Sequence, residues 1–185
     1  DREAMAVLKR TRAKALELLE EPDVSKALAL LLLYGCQAQG ELDGEEARPF
    51  DWGTAWETAK AMARPGDPVA VPEFFSGLEI LTDAWRQRLA APAPGDWDGR
   101  TVNLLRYLIN RYWLQAVSDY DLYGRVKFMV ISAVLLRLLG GDFRETAQRF
   151  SKEIENDAEN LDAILDAAYE SPVFTDAKLL GMLME

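Results

Sequence analysis

The sequence has 185 residues, 49% of them hydrophobic, with 31 acidic and 21 basic residues and a formal net charge of -10. This length and apolar content suffice for one contiguous core, which excludes extensive disorder. The acidic balance disfavours nucleic acid and anionic membrane surfaces as partners, because both repel negative charge. It leaves a basic protein partner open, although acidity is also a common means of solubility.

Cys36 is the only cysteine, and the sequence has no histidine. One cysteine cannot form an intrachain disulfide, a CxxC metal site or an iron–sulfur cluster, and the lack of histidine removes the commonest general base and metal ligand. Because Cys36 lies near the end of an apolar helix, we expect a buried, inert thiol. A single reduced thiol is typical of a cytoplasmic protein.

Two helices are predicted at the start of the chain. Apolar residues recur at helical spacing over 3–19, and residues 24–39 form a second helix that is apolar on most faces. Pro22 cannot continue the first helix, Asp23 can cap the second, and Gly40 can end it. The second helix should lie centrally, and the short connection favours an antiparallel pair.

Loops and short helices alternate in the next region. Residues 40–53 hold three glycines and a proline and are predicted to form a loop. Thr54 and Glu57 then form a capping box, in which each side chain satisfies a backbone group at the start of a short helix. A proline- and glycine-rich break at 65–72 separates this helix from a longer one over 73–91.

The second half of the chain is more apolar. After another break at 92–99, strongly apolar helices are predicted over 101–118 and 122–139. Asp142 is a natural cap for the helix that follows, and a short helix closes the chain behind Pro172. The longest apolar runs are well short of the roughly 18–20 residues that cross a bilayer, so we expect a soluble protein.

The whole pattern predicts an all-α fold. No segment alternates with period two over a useful length, and no repeat of the known helical types is present. We expect a single domain over residues 1–185, an irregular bundle of about eight or nine helices. The proline- and glycine-rich breaks are short enough to be loops within one helical body.

An acidic stretch at 149–166 keeps a regular apolar pattern. Its residues Glu155, Glu159 and Asp162 are spaced four and three apart, which suits metal ligands on one helical face. Di-metal helical bundles also need Glu-x-x-His motifs on neighbouring helices, and no histidine is present. We therefore predict a solvated helical face here and no metal site.

The same stretch contains a predicted helix start. Asn156 and Glu159 fit a capping box, so one helix should end near Glu155 and another should begin just after it. The carboxylates of Asp157 and Glu159 would then lie in a first turn, where they oppose the positive end of the helix. Much of the acidity of this stretch thus has a structural explanation.

Tyrosine and arginine side chains are interleaved from residue 106 onwards. Such a set can form a pocket for a planar or cationic ligand through stacking and cation–π contact, and lysine methylation often uses walls of this kind. Core packing is the alternative, because aromatic residues at helical spacing usually face the interior. The segment 119–123 lies at a helix junction, where functional groups are often placed. The candidate ligand-binding residues are Tyr107, Arg111, Asp119, Tyr120, Asp121 and Tyr123.

Motifs of catalytic nucleotide and acyl chemistry are absent from the sequence. It has no glycine-rich phosphate loop, no dinucleotide-binding motif after a strand and no nucleophile elbow. A Rossmann-type site for a methyl donor also requires strands, which the sequence does not predict. No catalytic residue is therefore assigned.

Three segments of the C-terminal half follow each other in a characteristic order: TVNLLRYLINRYWLQAV, VKFMVISAVLLRLLGG and AQRFSKEIENDAENLDAILDAA. This order resembles the C-terminal helical region of the flagellin lysine-N-methylase family. The resemblance is clearest in RFSKEIENDAENLDAIL, where relatives carry a similar Phe-Ser-Arg/Lys-x-Ile-Glu, a short polar turn and a leucine-rich helix. Residues 3–39 also look like the stretch that precedes this region in the family.

The resemblance implies S-adenosylmethionine-dependent methylation of lysine side chains on flagellin. It also implies a cysteine-rich N-terminal part that binds a metal cluster, so we expect this chain to be the C-terminal part of a longer protein. The chain carries neither those cysteines nor a motif for methyl transfer, and Asn156 stands where relatives often have histidine. The cofactor site is therefore not located, and the cluster is expected outside this chain.

Two functions remain as hypotheses. In the first, the chain scaffolds a lysine N-methyltransferase or presents flagellin, or another lysine-bearing protein, to its cysteine-rich part, and the acidic surface favours that partner. In the second, the chain is a non-enzymatic acidic helical module that binds a partner helix. Neither hypothesis involves nucleic acid or a membrane.

Overall fold

The computed structural model describes all 185 residues and is entirely helical, as the sequence predicts. Ten α-helices form the bundle, close to the predicted number. They are α1 (Arg2–Leu18), α2 (Val24–Leu42), α3 (Trp52–Met62), α4 (Ala70–Ser76), α5 (Asp83–Ala90), α6 (Gly99–Tyr112), α7 (Leu122–Leu139), α8 (Phe143–Phe150), α9 (Ala158–Glu170) and α10 (Asp176–Leu183). Short 3₁₀ helices cover Trp113–Val117 and Pro172–Phe174, and a π-helical turn covers Ser151–Glu155.

Helix α7 is the centre of the molecule. All of its residues except Tyr123 and Arg137 are buried, and α2 packs along it, as expected for two helices that are apolar on most faces. At their contact, a Cβ added to Gly35 would lie only 2.7 Å from a methyl carbon of Val126, so the glycine sets how closely the helices approach. No helix of the bundle has both the length and the apolar content needed to cross a membrane.

Two cationic side chains of α7 are buried and paired. The Lys127 ammonium lies 2.9 Å from a carboxylate oxygen of Asp176, and an Arg125 guanidinium nitrogen lies 2.7 Å from a carboxylate oxygen of Asp119. Burial of an unpaired charge would be strongly unfavourable, so these pairs allow the cations to remain in the core. They also tie the start and the middle of α7 to neighbouring segments.

Aspartates begin seven of the ten α-helices. Each accepts a hydrogen bond from a backbone amide in the first turn, which satisfies one of the amides that a helix start leaves free. These capping residues are Asp1, Asp23, Asp51, Asp98, Asp121, Asp142 and Asp157. Much of the acidic surplus therefore stabilises helix ends.

Both predicted capping boxes are displaced in the structure. Helix α3 begins at Asp51, whose carboxylate accepts from the amide of Thr54 at 2.9 Å, so Thr54 is inside the helix. Helix α9 begins at Asp157 and not at Asn156, and its carboxylate accepts from the amide of Asn160 at 3.1 Å. Both predictions were wrong because a carboxylate nearby caps the helix in place of the predicted residue.

The predicted helix over 73–91 is divided into α4 and α5. The backbone leaves helical geometry after Gly77 and restarts at Thr82, whose hydroxyl accepts from the amide of Trp85 at 3.3 Å. A buried carboxylate from another part of the chain, that of Glu153, binds the amides of Leu81 and Thr82. These amides cannot also continue a helix, and periodicity alone does not predict such a distant partner.

The prediction of a buried Cys36 was wrong. Its side chain is exposed and lines a cavity together with residues of the irregular segment 44–51. Desolvation by the surrounding atoms, followed by the negative charges of Asp176 and Glu45, raises the pKa of the thiol. The thiolate is therefore disfavoured at neutral pH, although the sulfur is accessible.

Candidate functional site

A π-helical turn interrupts the chain between α8 and α9. The amide of Asn156 donates to the carbonyl of Ser151 at 3.0 Å, a five-residue spacing that accommodates one extra residue in the turn. The wider turn buries Glu153, Ile154 and Glu155 in succession. The predicted solvated face is thus wrong for both of these glutamates.

Glu153 has a structural role. One of its carboxylate oxygens accepts from the amide of Leu81 at 2.7 Å, and the other accepts from the amide of Thr82 at 2.9 Å and from its hydroxyl at 2.7 Å. Asn160 supports the same contact, because its side chain exchanges hydrogen bonds with the backbone of Glu79. Together these residues fix the loop between α4 and α5 against the π-helical turn.

Glu155 lies on the opposite side of the turn, against α6. Its Oε1 accepts from the hydroxyl of Tyr112 at 2.8 Å and from the hydroxyl of Tyr107 at 3.0 Å, and the guanidinium of Arg111 lies 3.4 Å from the same oxygen. The Glu155 side chain is only 2% exposed. No protein group donates a hydrogen bond to its Oε2, so one oxygen of a buried carboxylate remains available to a ligand.

The groups around Glu155 are hydrogen-bond donors. Burial, followed by the hydrogen bond to Glu155, raises the pKa of Tyr112, so its hydroxyl stays protonated at neutral pH. Arg111 donates to the hydroxyl of Tyr107 at 2.6 Å, which raises the pKa of Arg111, and its guanidinium lies over the ring of Tyr112. These donors hold the carboxylate of Glu155 in place. Because the Tyr112 hydroxyl stays protonated, it can donate a hydrogen bond but cannot act as a base, which favours a role in ligand binding.

Glu155 forms one end of a groove between α6 and α8. At the other end the guanidinium of Arg100 lies 5.4 Å from the centre of the Phe143 ring. Arg100 and Phe143 lie at the starts of α6 and α8, and Tyr107 and Glu155, which are in contact, come later in the chain than these two residues, respectively. The two helices therefore run side by side in the same direction. The groove, called here the Glu155 groove, has a volume of about 450 Å³.

The walls of the Glu155 groove combine apolar and polar groups. Leu104, Phe143 and Ala147 supply apolar surface, and Gln148 and Ser151 supply hydrogen-bonding groups from α8 and the π-helical turn. A ligand with an apolar stem and one polar head fits such a lining. The head would meet Glu155, and the stem would lie along the two helices.

The six candidate residues from the sequence fall into two groups. Tyr107 and Arg111 contact Glu155, so the structure brings them together at the groove. Asp119, Tyr120, Asp121 and Tyr123 lie at the junction that leads into α7, and none of these four lines a cavity.

The polar groups of the junction are bound to other parts of the protein. Asp121 caps α7 and also accepts from the hydroxyl of Tyr169 at 2.6 Å. Tyr120 has a positive φ of 59°, and its carbonyl accepts from the side chain of Gln39 at 2.9 Å. The Gln39 carbonyl oxygen in turn accepts from the amide of Tyr123 at 2.9 Å. These contacts hold the start of α7 against α2.

Asp119 belongs to the same network through its pair with Arg125. Although burial raises the pKa of this carboxyl, hydrogen bonds from Arg125 and from the amide of Asp121 outweigh that effect and lower it. The junction therefore stabilises the fold, and it offers no polar group to a cavity.

Metal-ligand geometry is not found in the acidic stretch. Glu155 faces the tyrosines of α6, whereas Glu159 and Asp162 are exposed on α9. No group of three or more aspartate, glutamate or cysteine side chains in the chain is arranged to hold a metal ion.

Sequence reasoning noticed Glu155 only as a member of a metal-like spacing, and it missed the groove. A usable signal was the order Glu153-Ile154-Glu155. Ile154 belongs to the core stripe that starts at Phe150, and two acids directly flanking a core residue lie at least partly inside a helical bundle. Buried acids need donors, which tyrosine and arginine side chains supply.

The chain is thus an all-α protein whose surface carries the Glu155 groove, with a carboxylate at one end. Comparisons with protein-family models, with curated proteins and with solved structures found no match.

Proposed function

We propose that this chain is the helical, substrate-presenting domain of an S-adenosylmethionine-dependent lysine N-methyltransferase that acts on flagellin. The Glu155 groove holds a lysine side chain of the substrate. The methyl donor and a metal cluster are bound by a cysteine-rich region that this chain does not contain. The resemblance to the flagellin lysine-N-methylase family supports this proposal, and the free Oε2 of Glu155 is the observation that carries it.

A lysine side chain matches the groove in shape and polarity. Its four methylene groups can lie against Leu104, Phe143 and Ala147, and its ammonium can donate to Oε2 of Glu155. A hydrogen bond between two charged groups is among the stronger polar contacts in proteins. A purely apolar ligand would cover this oxygen and leave it without a partner.

The charges near the groove permit a cation to approach. Arg100 is neutralised by Asp98 at 2.8 Å, and Arg111 contacts the opposite oxygen of Glu155. Arg144 has no carboxylate partner, but it precedes Glu155 by roughly 16 Å of helix. The net charge of -10 attracts a basic segment at longer range.

Substitution of Glu155 by glutamine tests the proposal. The amide oxygen can still accept from Tyr107 and Tyr112, but the negative charge is lost. Binding of a lysine-bearing flagellin segment should weaken about tenfold to a hundredfold, the usual value of a hydrogen bond to a charged group. Isothermal titration calorimetry measures this change.

The matched control is Glu159→Gln, which removes an exposed carboxylate from the same acidic region. Its affinity should stay within about twofold of the unsubstituted chain, because exposed charges contribute little at physiological salt. An equal loss in both variants would mean that only net charge matters. No loss in either would contradict a lysine site at Glu155.

A second prediction concerns activity. Supplied with S-adenosylmethionine and flagellin, this chain alone should transfer no methyl groups, because the proposal assigns the donor site to the cysteine-rich region. Scintillation counting of methyl incorporation measures this directly. Addition of the cysteine-rich region should be required for activity, and turnover by the chain alone would disprove the division of roles.

A non-enzymatic interaction module is the alternative function. The apolar surface between two parallel helices, from Leu104, Phe143 and Ala147, also suits the apolar face of a partner helix. In that case a segment with norleucine in place of lysine would bind equally well, and Glu155→Gln would have no effect on affinity.

A further inference from the structure

A second cavity lies in the N-terminal part of the chain, between α1, α2 and the segment 44–51. Its volume is about 360 Å³, and it shares no residue with the Glu155 groove. Its lining includes Arg10, Lys14, Tyr34, Glu41, Arg48 and Phe50. This cavity is called the Tyr34 cavity below.

The hydroxyl of Tyr34 has no hydrogen-bond partner within the protein, although only 3% of the residue is exposed. Its oxygen is not enclosed by protein atoms and opens onto the cavity, where a ligand can supply the partner that tyrosine hydroxyls usually have. The ring cannot easily turn away, because it packs edge-on against Phe50 at 5.1 Å and stacks on Trp113 at 6.5 Å. The hydroxyl is therefore held at the wall of the cavity.

The Tyr34 hydroxyl is a donor at neutral pH. Burial, followed by the charge of Glu41, raises the pKa of Tyr34 to about 12. A ligand beside this hydroxyl can thus act as a hydrogen-bond acceptor. An oxyanion is the strongest acceptor of this kind, because hydrogen bonds to charged groups are stronger than those to neutral groups.

Charge in the Tyr34 cavity has the opposite sign to that of the whole chain. Arg10 lies 3.3 Å from the buried carboxylate of Glu41, and Lys14 lies 3.5 Å from the exposed carboxylate of Glu17. Both acids are thus paired, whereas Arg48 has no carboxylate partner. One positive charge is left over, in a protein whose net charge is -10.

The backbone of Arg48 is fixed beside the cavity. Its carbonyl accepts from the side-chain amide of Gln37 at 2.9 Å, and Phe50 anchors the segment two residues later through its contact with Tyr34. A fixed backbone limits the positions of the guanidinium, which lowers the entropy lost when the guanidinium binds a ligand. Arginine also binds carboxylate and phosphate groups through two parallel hydrogen bonds.

We propose that the Tyr34 cavity binds a small organic oxyanion, a carboxylate or a phosphate monoester. The guanidinium of Arg48 and the hydroxyl of Tyr34 donate to its oxygens, and its apolar part lies against Phe50. A neighbouring cavity of about 560 Å³ shares Arg48, Pro49 and Phe50 and provides room for the rest of the molecule. This proposal does not depend on the function proposed for the Glu155 groove.

The test uses benzoate and phenyl phosphate as probes in calorimetric titrations of the whole chain. Tyr34→Phe removes only the unpartnered oxygen and should weaken binding about fivefold to tenfold, the usual value of one hydrogen bond. Arg48→Gln should weaken binding at least about tenfold, because it removes the charge and the paired donors. Saturable binding of either probe with these losses supports the proposal, and the tighter probe identifies the preferred oxyanion.

The control variant is Arg86→Gln, which removes an exposed arginine of α5 that lines no cavity and has no carboxylate partner. It should leave probe affinity unchanged, whereas an equal loss of affinity in Arg86→Gln and Arg48→Gln would mean that only net charge matters and would overturn the proposal. No saturable binding of either probe, or an unchanged affinity in Tyr34→Phe, would also overturn it. Failure of Glu155→Gln to affect lysine binding would leave this result untouched.

Discussion

Replacement of Gly140 by alanine should destabilise the protein by about 3–5 kcal/mol. Gly140 ends α7 with φ 62° and ψ -148°, a backbone conformation open almost only to glycine. An added Cβ would also overlap the carbonyl oxygen of Ala93. Relief by movement is limited, because the amide of Ala93 donates to the carbonyl of Leu139 at 3.2 Å.

Thermal unfolding followed by circular dichroism measures this loss, and the expected decrease in Tm is roughly 10 °C or more. Gly99→Ala is the matched control. Gly99 is the first residue of α6, and an added Cβ there meets no atom within 4 Å. This variant should be neutral or slightly more stable, because alanine is favoured in helices. Similar Tm values for the two variants would contradict the strained geometry at Gly140.

Glu153→Ala should have an effect of similar size, a loss of about 3–5 kcal/mol. The substitution leaves the amides of Leu81 and Thr82 and the Thr82 hydroxyl without the buried carboxylate that they share as acceptor. It also removes buried methylene groups and leaves a cavity. Because the carboxylate joins the start of α5 to the π-helical turn, the Glu155 groove should also lose its shape.

Chemical denaturation measures the free energy of unfolding of this variant, and titration of the lysine-bearing flagellin segment reports on the Glu155 groove. The control is Asp162→Ala, which removes an exposed carboxylate from the middle of α9. Its free energy of unfolding should change by less than about 0.5 kcal/mol. If Glu153→Ala were equally mild, the three hydrogen bonds to Glu153 would not hold the loop.

The class of the fold was predictable because hydrophobic periodicity is a local property. Residues 24–39 and 122–139 are apolar on most faces, which indicated central helices, and α2 and α7 occupy that position. Helix ends were less predictable. The break before Thr82 depends on Glu153, which is 71 residues away in sequence, and no local pattern encodes that contact.

The candidate site was predicted only in part. Tyr107 and Arg111 were among the candidate ligand-binding residues, and they lie at the Glu155 groove, but their partner Glu155 was assigned to a solvated face. The extra residue of the π-helical turn changes which side chains face inward, so a pattern with a period of 3.6 residues misplaces those that follow. Tyr34 could not be found at all, because an unpartnered hydroxyl is visible only when all neighbours are known.

Acidic residues of this protein serve several distinct purposes. Seven aspartates cap helices, Glu153 organises a loop, and Glu155 presents a free oxygen to a groove. Composition alone cannot separate these purposes, because it reports only the net charge. Burial and hydrogen-bond partners separate them clearly.

The central claim is that Oε2 of Glu155 binds the ammonium of a substrate lysine. A double-mutant cycle tests it most directly, with Glu155→Gln in the protein and norleucine in place of lysine in a flagellin segment, and calorimetry for all four pairs. We expect a coupling free energy of about 1.5–3 kcal/mol, because each change alone removes the same hydrogen bond between charged groups. Additive effects, within about 0.5 kcal/mol, would contradict the contact.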